Sequence, residues 1–98
     1  MSNQLQRVML TKEVISTELP DQEMVLLHLQ SGDYYTLNRT AAQIWQDLQQ
    51  EPTVAAVGQR LAARYALPMA VAEQHLQQLL QELAAGQLLT LIAAPDKV

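Results

Sequence analysis

The stretch SGDYYTLNRTAAQIWQDL, residues 31–48, decides the fold, because the spacing of its apolar side chains changes partway along it. Before Asn38 the chain has the two-residue alternation of a β-strand. After Asn38 the apolar residues recur three and four positions apart, as on one face of a helix. Asn38 itself suits a helix N-cap, where its side chain accepts a hydrogen bond from a free backbone N–H. The stretch therefore predicts a strand that passes directly into a helix.

Two more strands are predicted upstream of this stretch. Val14–Leu19 is rich in β-branched residues and stops at the turn cluster Pro20–Glu23. Met24–Leu29 follows and ends just before Gly32, which can take the positive φ of a tight hairpin. Three short strands with two short turns predict an antiparallel meander. In that order Met24–Leu29 is central, and Asp33–Leu37 is an edge strand with unpaired backbone groups.

Three helices are predicted downstream. The first ends at Glu51-Pro52, the second follows a cap at Thr53, and the third opens at Leu67-Pro68 and closes at Gly86. Their apolar stripes are, in order, Ala41, Ile44, Trp45 and Leu48; Val54, Val57, Leu61 and Tyr65; and Ala72, Leu76, Leu79, Leu80 and Leu83. The apolar arc of the third helix has two borders, one with His75 and Glu82 and one with Glu73, Gln77 and Ala84. The pattern does not distinguish which border faces a cleft.

The ends of the chain complete the expected architecture. Leu88–Ile92 is expected to add a short extended segment over the core, and residues 1–12 and 95–98 are expected to be loosely held. Residues 1–98 thus form a single domain with flexible ends and a core of about residues 14–92. Its predicted class is α+β: a three-stranded antiparallel sheet followed by three helices, similar to a winged helix.

Composition restricts the possible partners. The chain has 98 residues, of which 49% are hydrophobic and 16% charged, as expected of one folded domain. Its net charge of −4 disfavours nucleic acid and anionic membrane surfaces as partners. The absence of cysteine, of a secretory signal and of a long apolar run predicts a cytoplasmic protein without a membrane segment.

The residues offer little for catalysis. The two histidines, His28 and His75, lack the local spacing of a metal site, and no serine has the context of an activated nucleophile. We therefore expect no enzyme activity, no metal and no cofactor. His28 is interpreted as a semi-exposed structural histidine, and His75 either as a structural residue or as a contact for a ligand peptide.

The aromatic residues leave two alternatives open. Tyr34 and Tyr35 must point to opposite faces of their strand. Tyr35 shares its face with Leu37 and is expected in the core, whereas Tyr34 shares its face with Thr36 and is either solvated or part of a binding surface. Trp45 is either a core residue or an anchor for a partner. The edge strand could also accept an extended peptide by main-chain pairing.

These residues together resemble a known family. Residues 31–38, with Ala41, Ile44-Trp45 and Leu48 after them, are similar to the PqqD-like pattern tGxYYxLNxxAxxIWxxL, and the similarity continues through the second and third helices to about residue 92. Members of this kind are also known as RiPP recognition elements. The chain looks nearer to the standalone lasso-peptide type than to the pyrroloquinoline-quinone type, which usually has Pro-Glu where Gln30-Ser31 stands here.

The resemblance implies a function and a site. It implies a protein that binds the leader of a ribosomally made precursor peptide and presents it to a separate maturation enzyme, either a leader peptidase or a radical enzyme. The implied leader adds to the third strand and lies in the groove beside the third helix. Carried over by position, the peptide-binding residues are Asp33, Tyr34, Tyr35, Thr36, Leu37, His75, Leu76 and Leu79. His75 departs from the family, which often has Asp there.

Two other functions remain as alternatives. A winged-helix DNA-binding protein would need a basic recognition helix, and the second helix offers only Arg60 and Arg64. A non-catalytic subunit that stabilises a partner enzyme is the other. The leucine-rich third helix and the free strand edge also leave a homodimer possible.

Overall fold

The chain folds into five strands and three helices in the computed structural model, which describes residues 6–51 and 53–92. Their bounds are β1 Arg7–Leu10, β2 Val14–Glu18, β3 Met24–His28, β4 Tyr34–Leu37, α1 Arg39–Gln50, α2 Val54–Tyr65, α3 Met69–Ala85 and β5 Leu89–Ile92. No helix in the described part is both long and apolar enough to cross a membrane.

The predicted meander is confirmed, and its middle strand carries the core. The strands are antiparallel in the order β2-β3-β4, with Leu26 opposite Ser16 on one side and Tyr35 on the other. Met24, Leu26 and His28 alternate as the buried face of β3. The prediction for the two tyrosines also holds: Tyr35 is half-buried against the core, whereas Tyr34 is 72% exposed.

The helices begin largely where local chemistry predicts. The Asn38 side chain accepts a hydrogen bond from the Ala41 N–H (2.9 Å) and so caps α1. Thr53 occupies the N-cap position of α2, but its side chain makes no capping hydrogen bond. Tyr65, predicted as a core residue, is 38% exposed, because it is the last residue of α2 and the chain turns at Ala66, whose φ is +54°. Trp45 is a core residue, 2% exposed.

A second, two-stranded sheet joins the two ends of the described chain. β1 pairs antiparallel with β5, with Arg7 opposite Ile92 and Leu10 opposite Leu89. The expected extended segment over the core is therefore present, and Leu88 and Leu89 are buried. The expectation that residues 1–12 are loosely held is wrong for Arg7–Leu10, because Val8 is buried and the strand is paired. Residues 1–5 and 95–98 lie outside the described residues.

His28 has a structural role, as expected, but it is only 4% exposed. Its Nδ1 accepts hydrogen bonds from the backbone N–H groups of Gln30 (3.3 Å) and Ser31 (3.5 Å). Gly32 then reverses the chain with a φ of +76°, as predicted. The histidine therefore organises the turn between β3 and β4.

A buried carboxylate connects α1 and α2. Asp47 is 5% exposed, and its Oδ2 lies 3.1 Å from Nη1 of Arg64. Its Oδ1 accepts a hydrogen bond from the Gln43 side chain (3.3 Å) and lies 3.7 Å from Nη1 of Arg60. Both arginines of α2 are thus directed at one aspartate, whose charge offsets half of theirs and so weakens the basic face that a DNA-recognition helix requires.

We expect Asp47→Ala to lower the free energy of unfolding by about 1–3 kcal/mol, because it leaves Gln43 and two arginines without their acceptor. The loss of unfolding free energy stays small for a broken buried ion pair, because both arginines are partly exposed and water can solvate them. Urea unfolding measures the change. Glu13→Ala, which removes the same charge at an exposed position, is the control. Equal losses in the two variants would contradict a stabilising role for the Asp47 contacts.

Candidate functional site

The outer edge of β4 is open. β4 pairs with β3 on one side, and no other described strand lies along its second side. The His28 N–H donates to the Asp33 carbonyl oxygen (3.0 Å), which makes Asp33 a hydrogen-bonded position between β3 and β4. Every second residue of β4 is hydrogen-bonded to β3 in the same way, so the next such positions are Tyr35 and Leu37. Because bonded and non-bonded positions alternate, Tyr34 and Thr36 direct their N–H and C=O groups away from the sheet. These are the groups that an added strand would pair with.

A groove of about 320 Å³ lies between the start of α1 and α3. Its floor is formed by Ala41, Ile44 and Leu79, and its rim by Asn38, Thr40, His75, Gln78 and Glu82. The border of α3 that carries His75 and Glu82 therefore faces the groove. The opposite border of α3 faces the segment before β1, where the Gln77 side chain donates a hydrogen bond to the Gln6 side chain (3.1 Å).

Tyr35 connects the strand edge to the end of α3. A Cβ atom at Gly86 would lie 2.7 Å from the Tyr35 Oη and 2.8 Å from its Cζ, closer than real Cβ contacts. Gly86 closes α3 as predicted, but its φ is −84°, and the left-handed residue is Gln87 with a φ of +62°. The approach of the tyrosine ring, and not a left-handed backbone, is therefore what favours glycine at position 86.

The predicted site residues separate into groups. Tyr34 and Thr36 present the open edge, while His75 and Leu79 line the groove. Asp33 lies just before β4, where its carbonyl oxygen accepts from His28 and its N–H donates to the Ser31 hydroxyl (3.3 Å). Its main chain is thus already engaged.

Two predicted contacts require correction. Leu76 is fully buried and faces α2, with its Cδ2 atom 3.7 Å from the position of a Cβ at Gly58. Leu37 is 4% exposed, and its backbone groups pair with Met24. Both residues support the site from the core and do not present a side chain to a ligand. They were assigned by position along the chain, and position alone does not separate a lining residue from the one behind it.

Several residues of the groove were absent from the prediction: Asn38, Thr40, Ala41, Ile44, Gln78 and Glu82. Ala41 and Ile44 belong to the apolar stripe of α1, and Glu82 follows His75 by seven positions, two turns along the same helix face. That spacing was the available signal for Glu82, but it could not show which border of the helix was outermost.

No candidate metal site is found in residues 6–51 and 53–92. No group of three or more histidines, aspartates or glutamates within those ranges could hold a metal ion. His28 and His75 line separate cavities, the former beside β5 and the latter in the groove.

Known proteins share this architecture. The family model described as "Coenzyme PQQ synthesis protein D (PqqD)" matches residues 23–89. The structure "TbiB1 in Complex with the TbiA(beta) Leader Peptide" is similar with a TM-score of 0.79 and 30% identity, over 90% of this chain and 99% of that chain. "Lasso peptide synthetase B1 complexed with the leader peptide" has a TM-score of 0.76 and 32% identity, over 86% and 98%. No curated protein sequence matches significantly.

We expect Gly86→Ala to lower the free energy of unfolding by about 1–2 kcal/mol, because the new methyl group forces the Tyr35 ring to move. The matched control is Gly58→Ala within α2, where the nearest atom is 3.7 Å from the new Cβ. This second change should stabilise the protein by about 0.5–1 kcal/mol through helix propensity. Chemical denaturation measures both.

The same contact predicts a rescue. Gly86→Ala should cost little in a Tyr35→Leu background, since the shorter side chain leaves room for the methyl group. An undiminished cost in that background would show that Tyr35 is not the reason for glycine at this position.

Proposed function

This chain belongs to the PqqD family, and on that premise we propose that it binds the leader segment of a ribosomally made precursor peptide and presents it to a separate maturation enzyme. The observation that carries the proposal is the open edge of β4 beside a groove with an apolar floor. An extended peptide can satisfy the free N–H and C=O groups of Tyr34 and Thr36, while its alternate side chains enter the groove.

The lasso-peptide type is the nearer one. Both similar structures hold a leader peptide, and one is named a lasso peptide synthetase B1 protein. At 30% and 32% identity over most of both chains, the class of ligand in those two structures is a suitable guide to the ligand of this chain. We propose that the chain acts in the cytoplasm, that it catalyses no step itself, and that the reaction is performed by the enzyme that receives the leader.

The alternative of DNA binding has lost its support. Its only candidate basic residues on α2, Arg60 and Arg64, are both directed at Asp47. Helix α3 carries Glu73 and Glu82 and no lysine or arginine. A peptide ligand is compatible with both facts.

Fluorescence polarisation with labelled leader peptides tests the proposal directly. The probes are the leaders of precursor peptides encoded beside the gene, together with the TbiA(beta) leader as a heterologous one. We expect dissociation constants in the micromolar range or tighter for a neighbouring leader. If no neighbouring leader binds at that level, the proposed function is wrong.

Strand addition makes a sharper prediction at Tyr34. Tyr34→Pro removes an N–H that faces the open edge and leaves the pairing of β4 with β3 unchanged. We expect leader affinity to fall about tenfold, the effect of roughly one lost hydrogen bond, while the fold persists by circular dichroism.

The opposite edge of the same sheet provides a matched control. The Leu29 N–H donates to the Glu13 carbonyl oxygen (2.8 Å), so by the same alternation Ser16 directs its N–H away from β3 at the free edge of β2. Ser16→Pro should therefore leave leader affinity unchanged. Equal losses of affinity for folded Tyr34→Pro and Ser16→Pro proteins would contradict leader addition at β4.

A further inference from the structure

We propose that the groove selects leaders in which a large apolar side chain and a lysine or arginine lie two residues apart, with the basic side chain directed at Glu82. The inference rests on the proposed strand addition at β4 and specifies the chemistry of the peptide. It follows from the direction of side chains at the edge, from the position of Glu82 on α3, and from the distribution of charge around the groove.

The alternation of side chains determines which leader residues reach the groove. Tyr35 and Leu37 are on the inner face of β4, the face covered by the core. In an added strand, the residues directly opposite these two share that face. Two leader side chains separated by one residue therefore point toward the helices, and the residue between them points to solvent with Tyr34 and Thr36.

The two inward positions meet different surroundings. The Tyr35 ring ends at Gly86, and Glu82 lies four residues before Gly86, about one turn earlier along α3 and about one turn after Leu79. The position opposite Tyr35 is therefore the one nearest the C-terminal end of α3. Leu37 is followed at once by Asn38, which lines the groove together with Ile44 and Leu79. A leader side chain opposite Leu37 therefore lies beside the apolar floor, and the one opposite Tyr35 lies beside Glu82.

The charge around the groove favours a cation at the second position. Glu82 is the one carboxylate among the lining residues, and no lysine or arginine lies among them. The nearest arginine in sequence to the groove, Arg39, lines a separate cavity, and its Nε donates to the Asp21 carbonyl oxygen (3.5 Å). Arg60 and Arg64 pair with Asp47. Glu82 therefore has no lysine or arginine partner among the residues that line the groove, and its carboxylate is available to a basic leader residue.

The experiment is a selection followed by a charge exchange. A yeast-displayed library of random 12-residue peptides is selected for binding to the complete purified chain. We expect enriched peptides to carry an apolar residue and a lysine or arginine two positions apart. With a selected peptide, Glu82→Lys should weaken binding roughly five- to tenfold, since an exposed ion pair is worth only a few-fold and reversal adds repulsion.

A matched variant distinguishes the effect of losing the Glu82 contact from the effect of changing the net charge of the protein. Glu73→Lys makes the same change of charge on the opposite border of α3, where the Glu73 Cγ lies 3.9 Å from the position of a Cβ at Gly58 and so faces α2. It should change affinity less than twofold. Exchanging the peptide's basic residue for glutamate should restore the affinity of the Glu82→Lys protein.

The outcomes distinguish the two proposals. If no peptide is enriched and neighbouring leaders also fail to bind, the proposed function is wrong. If peptides bind and Tyr34→Pro weakens them, but no basic position emerges or Glu82→Lys behaves as Glu73→Lys does, strand addition stands and the preference for a basic residue is overturned.

Discussion

The contact between the Tyr35 ring and the glycine at the end of α3 is the constraint on which the site depends. It brings a side chain of the edge strand against the end of the helix whose side forms one wall of the groove. A side chain at position 86 would push the ring away and change the distance between the free backbone groups of β4 and the rim residues of α3. The edge of β4 can form backbone hydrogen bonds with a peptide, and α3 contacts the side chains of that peptide. The relative position of β4 and α3 therefore determines whether one peptide can make both kinds of contact.

Much of the fold follows from local signals. The change of period at Asn38, the capping side chain and the positive φ at Gly32 each act over a few residues, and each is present as predicted. Strand β1 could not be found this way. Its partner lies about 80 residues further along the chain, and a four-residue segment with one buried side chain carries almost no periodic signal.

The site was predictable in outline and not in detail. The sequence pattern predicted an open edge at β4 and a cleft along the third helix, and the structure contains both. It gave no information about which of the two borders of that helix is covered. That choice depends on long-range contacts such as that of Gln77 with Gln6, which occupies one border and leaves the other free. Leu37 and Leu76 are assigned to the ligand by the family resemblance, which transfers residues by position along the chain. Their own apolar pattern already places both on core faces, and both are buried.

The pairing of β1 with β5 has a consequence for how the domain can be connected to other proteins. Arg7 and Ile92 are cross-strand neighbours, so polypeptide attached before or after the described domain leaves it from nearly the same point. That point lies near Gln6, on the side of α3 away from the groove. The linker length of a tether or a fused enzyme domain attached beyond these strands would set the effective concentration of bound leader at the enzyme.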